Sequence, residues 1–376
     1  MNPTRIAKLF EERVPEYIRA ISPYVPGRPI EEVEREMKIR AVKLASNENP
    51  LGPSPRAVEA ARAAIAESHR YPDGGGHYLR EALAGMHGVP MDNVILGFGS
   101  SELIDLSARL LIRPGEEGLT AKGSFALYYI AIQASGGKLV AVPLKDYGFD
   151  LGALARAITP RTRYVVLANP NNPTGTLFTA DEFDVFLRRV PEDVLVVLDE
   201  AYCDYVSHPN YSRSIDLVRG GANLLVLRTF SKVHGLAGLR IGYGIGPARL
   251  LVEMNKVRTP FNTSGVAQAA ALAALGDVEH IRRSVESNRA GMAQLSRGLD
   301  RLGAKWVPSF GNFLYVEAGP SAAEMAADME REGVIVRPLG WMGLPEGLRI
   351  TVGTTEENEK FLAAFGRVCA AHKSSK

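Results

Sequence analysis

Lys232 and Arg240 place two cations eight residues apart in the glycine-rich stretch RTFSKVHGLAGLRIGYG, directly after an apolar run. Taken alone, each would be read as a solvated surface cation. Three other polar clusters change that reading, because each also follows a short apolar run: Gly97-Phe98-Gly99-Ser100-Ser101-Glu102, the segment NPNNPTG at 169 to 175, and Asp199-Glu200-Ala201-Tyr202. An amine, a carboxylate, a phenol, a carboxamide and several hydroxyls are the groups needed to hold a phosphorylated, carbonyl-bearing small molecule. Lys232 could condense with the carbonyl, and Asp199 could pair with a basic nitrogen.

The apolar runs are what must bring these groups together. Residues 93–99, 164–170, 194–202 and 223–232 each carry a β-branched or leucine-rich core, and helical patterns lie between them, among them 101–112 and 179–189. Continuous apolar strands interleaved with helices predict an α/β fold around a mainly parallel sheet with helices on both faces. Ligands of such sheets bind beyond the carboxyl ends of the strands, so the four polar clusters converge on one rim. Thr179 followed by Glu182 has the spacing of a capping box and predicts a helix start there. Glu102 stands where a dinucleotide fingerprint would need its third glycine, while the GFGSSE turn into a helix suits a phosphate.

From about residue 263 the texture becomes alanine-rich and then charged and helical to 302, followed by short strands near NFLYVEA and LRITVG. The expected organisation is an N-terminal arm over 1–44 that joins the small domain, a large domain over 45–262, and a smaller α+β domain over 263–376. Net charge is +2, from 44 basic and 42 acidic residues without long like-charge runs, which gives no footprint for nucleic acid or an anionic membrane. Cys203 and Cys369 lack disulfide or zinc spacing, and no apolar run approaches a membrane span, so a cytoplasmic location is expected. The seven histidines show no paired-ligand spacing, no metal site is expected, and His234, two residues after Lys232, reads as a loop histidine.

Pyridoxal 5′-phosphate satisfies every cluster. Its phosphate suits Ser100, Ser101, Ser231 and Arg240; its ring nitrogen, Asp199; its phenolic oxygen, Tyr202 and Asn172; and its carbonyl, Lys232. The chain also resembles the fold-type-I pyridoxal-phosphate aminotransferases nearly end to end, through KLASNENPLGPSP, RYPDGGG, NPNNPTG, DEAY, TFSKVHGLAGLRIGYG, RTPFNTSGVAQAAALAAL and LRITVGT. Within them the motif set is most similar to the histidinol-phosphate aminotransferases.

The resemblance implies a transaminase with ping-pong kinetics and Lys232 as the catalytic lysine, with 2-oxoglutarate and glutamate as the acceptor pair. It implies Phe125 stacked on the cofactor ring, and Tyr24, Asn47, Arg337 and Arg349 on the substrate side. It also implies a homodimer in which Tyr71 reaches the neighbouring site. An aromatic amino-acid aminotransferase, a phosphothreonine decarboxylase and a non-catalytic ligand sensor of the same fold are the alternatives. Around Arg337 the sequence VRPLGWMGLPEG leaves that arginine's partner open, and AKGSF at 121–125 departs from the proline-containing form before the stacking aromatic.

Overall fold

A computed structural model of the chain describes residues 8, 9 and 11–374; the remaining residues of the expected arm and the last two of the small domain lie outside them. The centre is a seven-stranded sheet. Its spatial order is Val94–Gly97, Gly242–Ile245, Leu224–Thr229, Leu195–Asp199, Thr162–Ala168, Glu117–Lys122 and Lys138–Pro143. Gly242–Ile245 pairs antiparallel with both neighbours, and the other pairs are parallel. The four strands anticipated at the polar clusters are thus present, each buried almost throughout, as expected for a sheet covered on both faces.

Register explains why distant residues meet. Gly97 and Thr229 both face Gly242 across the antiparallel strand, so the helix entered at Gly99 and the turn carrying Ser231 and Lys232 start at the same height on the rim. Asp199 lies level with Ala168 on one side and Leu227 on the other. Gly242 has to be glycine here, since a Cβ would lie 2.7 Å from the backbone nitrogen of Ser100.

Helices cover both faces. Gly99–Leu111 and Ala126–Ala134 pack on one side through Leu103, Ile104, Tyr128 and Ile132. On the other face lie Pro55–Ile65, His77–His87 and Ala180–Leu187. The last of these begins with the anticipated capping box: Thr179 Oγ1 accepts from the Glu182 N–H at 3.2 Å, and Glu182 accepts from the Thr179 N–H at 2.8 Å. Such a cap contributes about 1 kcal/mol.

The small domain holds a four-stranded antiparallel sheet ordered Arg337–Pro338, Gly347–Thr351, Phe313–Glu317 and Lys305–Val307. Helices Val278–Arg301, Ala322–Arg331 and Thr355–Ser374 pack against it through Leu295, Met329 and Phe361. Val42–Lys43 pairs in parallel with Val334–Ile335, and Val33 of the helix Ile30–Met37 is buried with Ala45 and Ile335.

The stretch 263–302 is two helices, Gly265–Leu275 and Val278–Arg301, interrupted at Gly276 and restarted by Asp277, whose carboxylate accepts from the His280 N–H. The first belongs to the large domain's core: Ala267, Ala270, Ala271 and Ala274 are buried in the same cluster as Ala57, Leu79 and Leu96. Its small side chains let it lie close against Pro55–Ile65, so the core of the large domain extends past residue 262.

Candidate active site

Beyond the carboxyl ends of the large sheet, between the two domains, lies a cavity of about 240 Å³. Its walls include Lys232, Asp199, Asn172, Tyr202, Ser100, Ser101, Ser231, Arg240, Phe125, Tyr24, Asn47, Arg337 and Arg349. All the predicted site residues except Tyr71 therefore meet in one place. Tyr71 is 82% exposed and stacks on Phe261 at 4.7 Å, outside the cavity of its own chain.

The Lys232 amine donates to the backbone carbonyls of Asn47 at 3.2 Å and Ser46 at 3.4 Å. Burial, followed by the Arg349 guanidinium, pulls it down to about 7, so much of it is a neutral nucleophile at neutral pH. Asp199 is 6% exposed. Its carboxylate accepts from the Tyr128 hydroxyl at 2.8 Å and the Ala201 N–H at 3.1 Å. Burial nevertheless pushes it up to about 6, because two neutral donors only partly offset the loss of water. A cation at this carboxylate would restore its charged form.

The end of the cavity at Arg240 is built by close approach. Gly99 has φ +72°, and a Cβ there would sit 2.6 Å from Arg240 Nη2, so glycine lets the guanidinium lie against the start of the helix. Arg240 itself is left-handed at φ 53° and donates to Ser231 Oγ at 3.3 Å and the Ala237 carbonyl at 3.0 Å. A guanidinium, hydroxyls and a helix N-terminus form a cradle for a dianion.

On the opposite wall, the Arg349 guanidinium donates to Asn172 Oδ1 and the Ala45 carbonyl, both at 2.6 Å, while its buried Nε has no partner. Arg337 donates to the Val25 carbonyl and lies over the Trp341 ring at 4.7 Å. Burial lowers both arginines, and no carboxylate among the described residues offsets it. The fixed positive charge therefore calls for an anionic ligand.

Asn172 and Tyr202 are not bonded to each other. Asn172 holds Arg349, and the Tyr202 hydroxyl accepts from Asn47 Nδ2 at 2.9 Å. Asn47, left-handed at φ 55°, also takes Thr351 Oγ1 at its backbone N–H, which ties the two domains at the mouth of the site. Phe125 caps the helix Ala126–Ala134 and meets Tyr128 edge-on at 5.6 Å. In the AKGSF turn, Ser124 Oγ donates to Asn171 Oδ1 at 2.8 Å. His234 lies in a turn, is absent from the cavity wall and packs on Phe230, with Nδ1 buried and without a hydrogen-bond partner.

Sequence reasoning missed Tyr128, Asn312, Thr229 and Trp341. Thr229 lines the cavity and donates to Ser231 Oγ at 2.9 Å, while Asn312 Nδ2 donates to the Asn47 carbonyl at 3.1 Å. A signal existed for Thr229 alone, as the last strand residue before the Ser231-Lys232 pair.

Residues 39–365 match the family model described as aminotransferase class I and II. The chain belongs to that family. This aminotransferase is 51% identical to histidinol-phosphate aminotransferase 2 of Ralstonia nicotianae, over 93% of its own length and 96% of the relative's. It is 49% identical to histidinol-phosphate aminotransferase 1 of Nitrosococcus oceani, covering 96% and 98%. Among solved structures, the Sinorhizobium meliloti histidinol-phosphate aminotransferase in complex with pyridoxal-5′-phosphate superposes with a TM-score of 0.88 at 30% identity, covering 96% of this aminotransferase and 98% of that chain. The fold-type-I architecture expected from the motifs is the architecture of this aminotransferase.

Proposed function

We propose that the protein is a pyridoxal-phosphate-dependent aminotransferase of histidine biosynthesis that interconverts histidinol phosphate and 2-oxoglutarate with imidazole-acetol phosphate and glutamate. The observation that carries this reading is Arg349: a buried guanidinium in the same cavity as Lys232, with an unpartnered Nε and no carboxylate among the described residues paired with it. A planar fork serves a phosphate or a carboxylate, as a site for both donors must. The near-full-length identity to histidinol-phosphate aminotransferases supports the choice of substrate.

Bound pyridoxal phosphate supplies a carbonyl and an electron-withdrawing ring. Ser100, Ser101, Ser231 and Arg240 would hold its phosphate, Asp199 a proton on its ring nitrogen, Tyr202 and Asn172 its phenolic oxygen, and Phe125 its ring face. The Lys232 amine, held near neutrality, would take the proton from the donor's amine-bearing carbon in the first half-reaction and deliver one to the acceptor's keto carbon in the second. Arg337 and Arg349 would bind the anionic end, with Tyr24 and Asn47 beside them.

Steady-state rates on histidinol phosphate and on phenylalanine, each with 2-oxoglutarate, test the reading; higher kcat/KM on phenylalanine would replace it with an aromatic aminotransferase. Arg349→Lys should weaken both half-reactions, because an ammonium cannot reproduce the fork. Each lost charge-assisted hydrogen bond costs about 1.5–3 kcal/mol, or roughly tenfold to a hundredfold in kcat/KM. Unchanged single-turnover rates with a lowered Tm would make Arg349 structural.

A cytoplasmic homodimer completes the proposal. The exposed Tyr71–Phe261 stack supports a second copy's site as Tyr71's partner, and no helix among the described residues is long and apolar enough to cross a membrane. Sedimentation at twice the chain mass is expected; a monomer at assay concentration would remove Tyr71 from the site.

A further inference from the structure

Arg337 has an unusual setting for a residue meant to grip an anion. Its guanidinium lies over the indole of Trp341 at 4.7 Å and over the ring of Tyr24 at 5.7 Å, and the two rings meet edge to face at 5.0 Å. The same guanidinium donates to the carbonyl of Val25 in the arm, which runs without regular structure past Tyr24 and Gly27 along the cavity wall. Trp341 stands in a 3₁₀ turn, Gly340–Met342, in which Met342 is buried and Trp341 is half-buried. Trp341 also packs in the apolar cluster formed by Ala126, Val307, Tyr315, Leu339 and Met342, which Phe125 joins from the large domain. An indole bridging an arginine, the arm and an interdomain cluster is more than surface filling.

Both rings lie within the roughly 6 Å reach of a cation–π contact, and indole is the strongest partner for one. The Val25 bond and the two ring faces leave the guanidinium little freedom to swing. A long side chain held before its ligand arrives loses less entropy on binding, so preorganisation appears in affinity for the ligand. Phe125 packs against the same cluster and meets Tyr24 edge-on at 6.4 Å.

We propose that Trp341 is a positioning residue for Arg337: with Tyr24 it holds the guanidinium plane open to the anionic end of the substrate and fastens the arm over that end of the site. The inference rests on the substrate-side role proposed above for Arg337. Its effect falls on substrate affinity and leaves the chemical step alone, because Trp341 contacts Arg337 and does not itself line the cavity that holds Lys232 and Asp199.

Two readouts test it in the full-length holoenzyme. Trp341→Ala should raise KM for histidinol phosphate by roughly 3- to 30-fold, the range of a cation–π contact of this kind, with kcat within about twofold and bound cofactor unchanged; Trp341→Phe, which keeps a ring face, should recover most of the loss. An unchanged KM with a lowered Tm would overturn the proposal, as would a joint loss of kcat and bound cofactor, which would assign Trp341 to the packing of Phe125. The second readout does not depend on which substrate the enzyme uses. The chain has two tryptophans, and Trp306 lies on the outer strand of the small sheet, bonded to Asp300. In Trp306→Phe, the emission of Trp341 should shift saturably as inorganic phosphate is added, and the shift should vanish when Arg337→Gln is introduced. Flat emission, or a shift that persists without Arg337, would overturn the proposal. Should the wild-type enzyme fail to turn over histidinol phosphate, the substrate assignment falls, while the phosphate titration still decides the role of Trp341.

Discussion

Lys232→Ala is expected to abolish turnover, by roughly 10⁴-fold or more, since general acid–base transfer alone contributes about 10²–10⁴ and no other lysine among the described residues lines the cavity. The fold should survive, because the amine bonds only to two backbone carbonyls. Borohydride reduction of the wild-type holoenzyme and peptide mapping should place the cofactor on Lys232, and a label on another lysine would end the assignment. The pH dependence is distinctive. With the amine near 7, the rate at which cofactor-free protein takes up pyridoxal phosphate should climb between about pH 6 and 8 and then level, whereas an ordinary lysine near 10.4 would keep accelerating to about pH 10.

Asp199→Asn should lower kcat by about 10²–10³-fold, matching the roughly 3–4 kcal/mol lost when a preorganised charged or dipolar group is removed from a transition state. Cofactor affinity should fall less, because the phosphate cradle at Arg240, Ser100 and Ser231 is untouched. Stability of the cofactor-free protein should move the other way. Burial raises the folded-state Asp199 to about 6, above its unfolded value, so its contribution is favourable at low pH and lost as pH rises through about 6. Cofactor-free Asp199→Asn should therefore gain melting temperature over wild type at pH 8 relative to pH 5. Near-normal turnover, or a gain confined to low pH, would contradict the role given to this carboxylate.

Much of the site could be read from the sequence because its polar residues follow immediately after strands whose apolar runs are unmistakable. Asp199, Asn172 and Lys232 are fixed by that adjacency, and the parallel order then delivers them to one rim. Tyr128 could not be found this way. It lies in ALYYIAIQA, an apolar helix with no polar stripe, and only packing decides that its hydroxyl turns toward Asp199. The same limit applies to Gly265–Leu275: an alanine-rich helix is apolar on every side, so its periodicity does not say which core receives it. Trp341 escaped for a third reason. Its partner Arg337 lies across a turn, and turn residues carry no register.

The tie at Asn47 has a consequence for how the protein is made. The hydrogen bond from its N–H to Thr351 joins residues 304 positions apart. At a synthesis rate of about 5–20 residues per second, the amino-terminal half of that bond waits tens of seconds on the ribosome for its partner. The strands that carry Ser100, Asn172, Asp199, Lys232 and Arg240 are complete by residue 245, a full hundred positions before Arg349 is translated. Biosynthesis thus supplies the proposed phosphate cradle and the lysine well before the two proposed substrate-side arginines, so a chain truncated before Arg337 carries the residues proposed to hold a cofactor and lacks both guanidinium groups proposed to select what reacts with it.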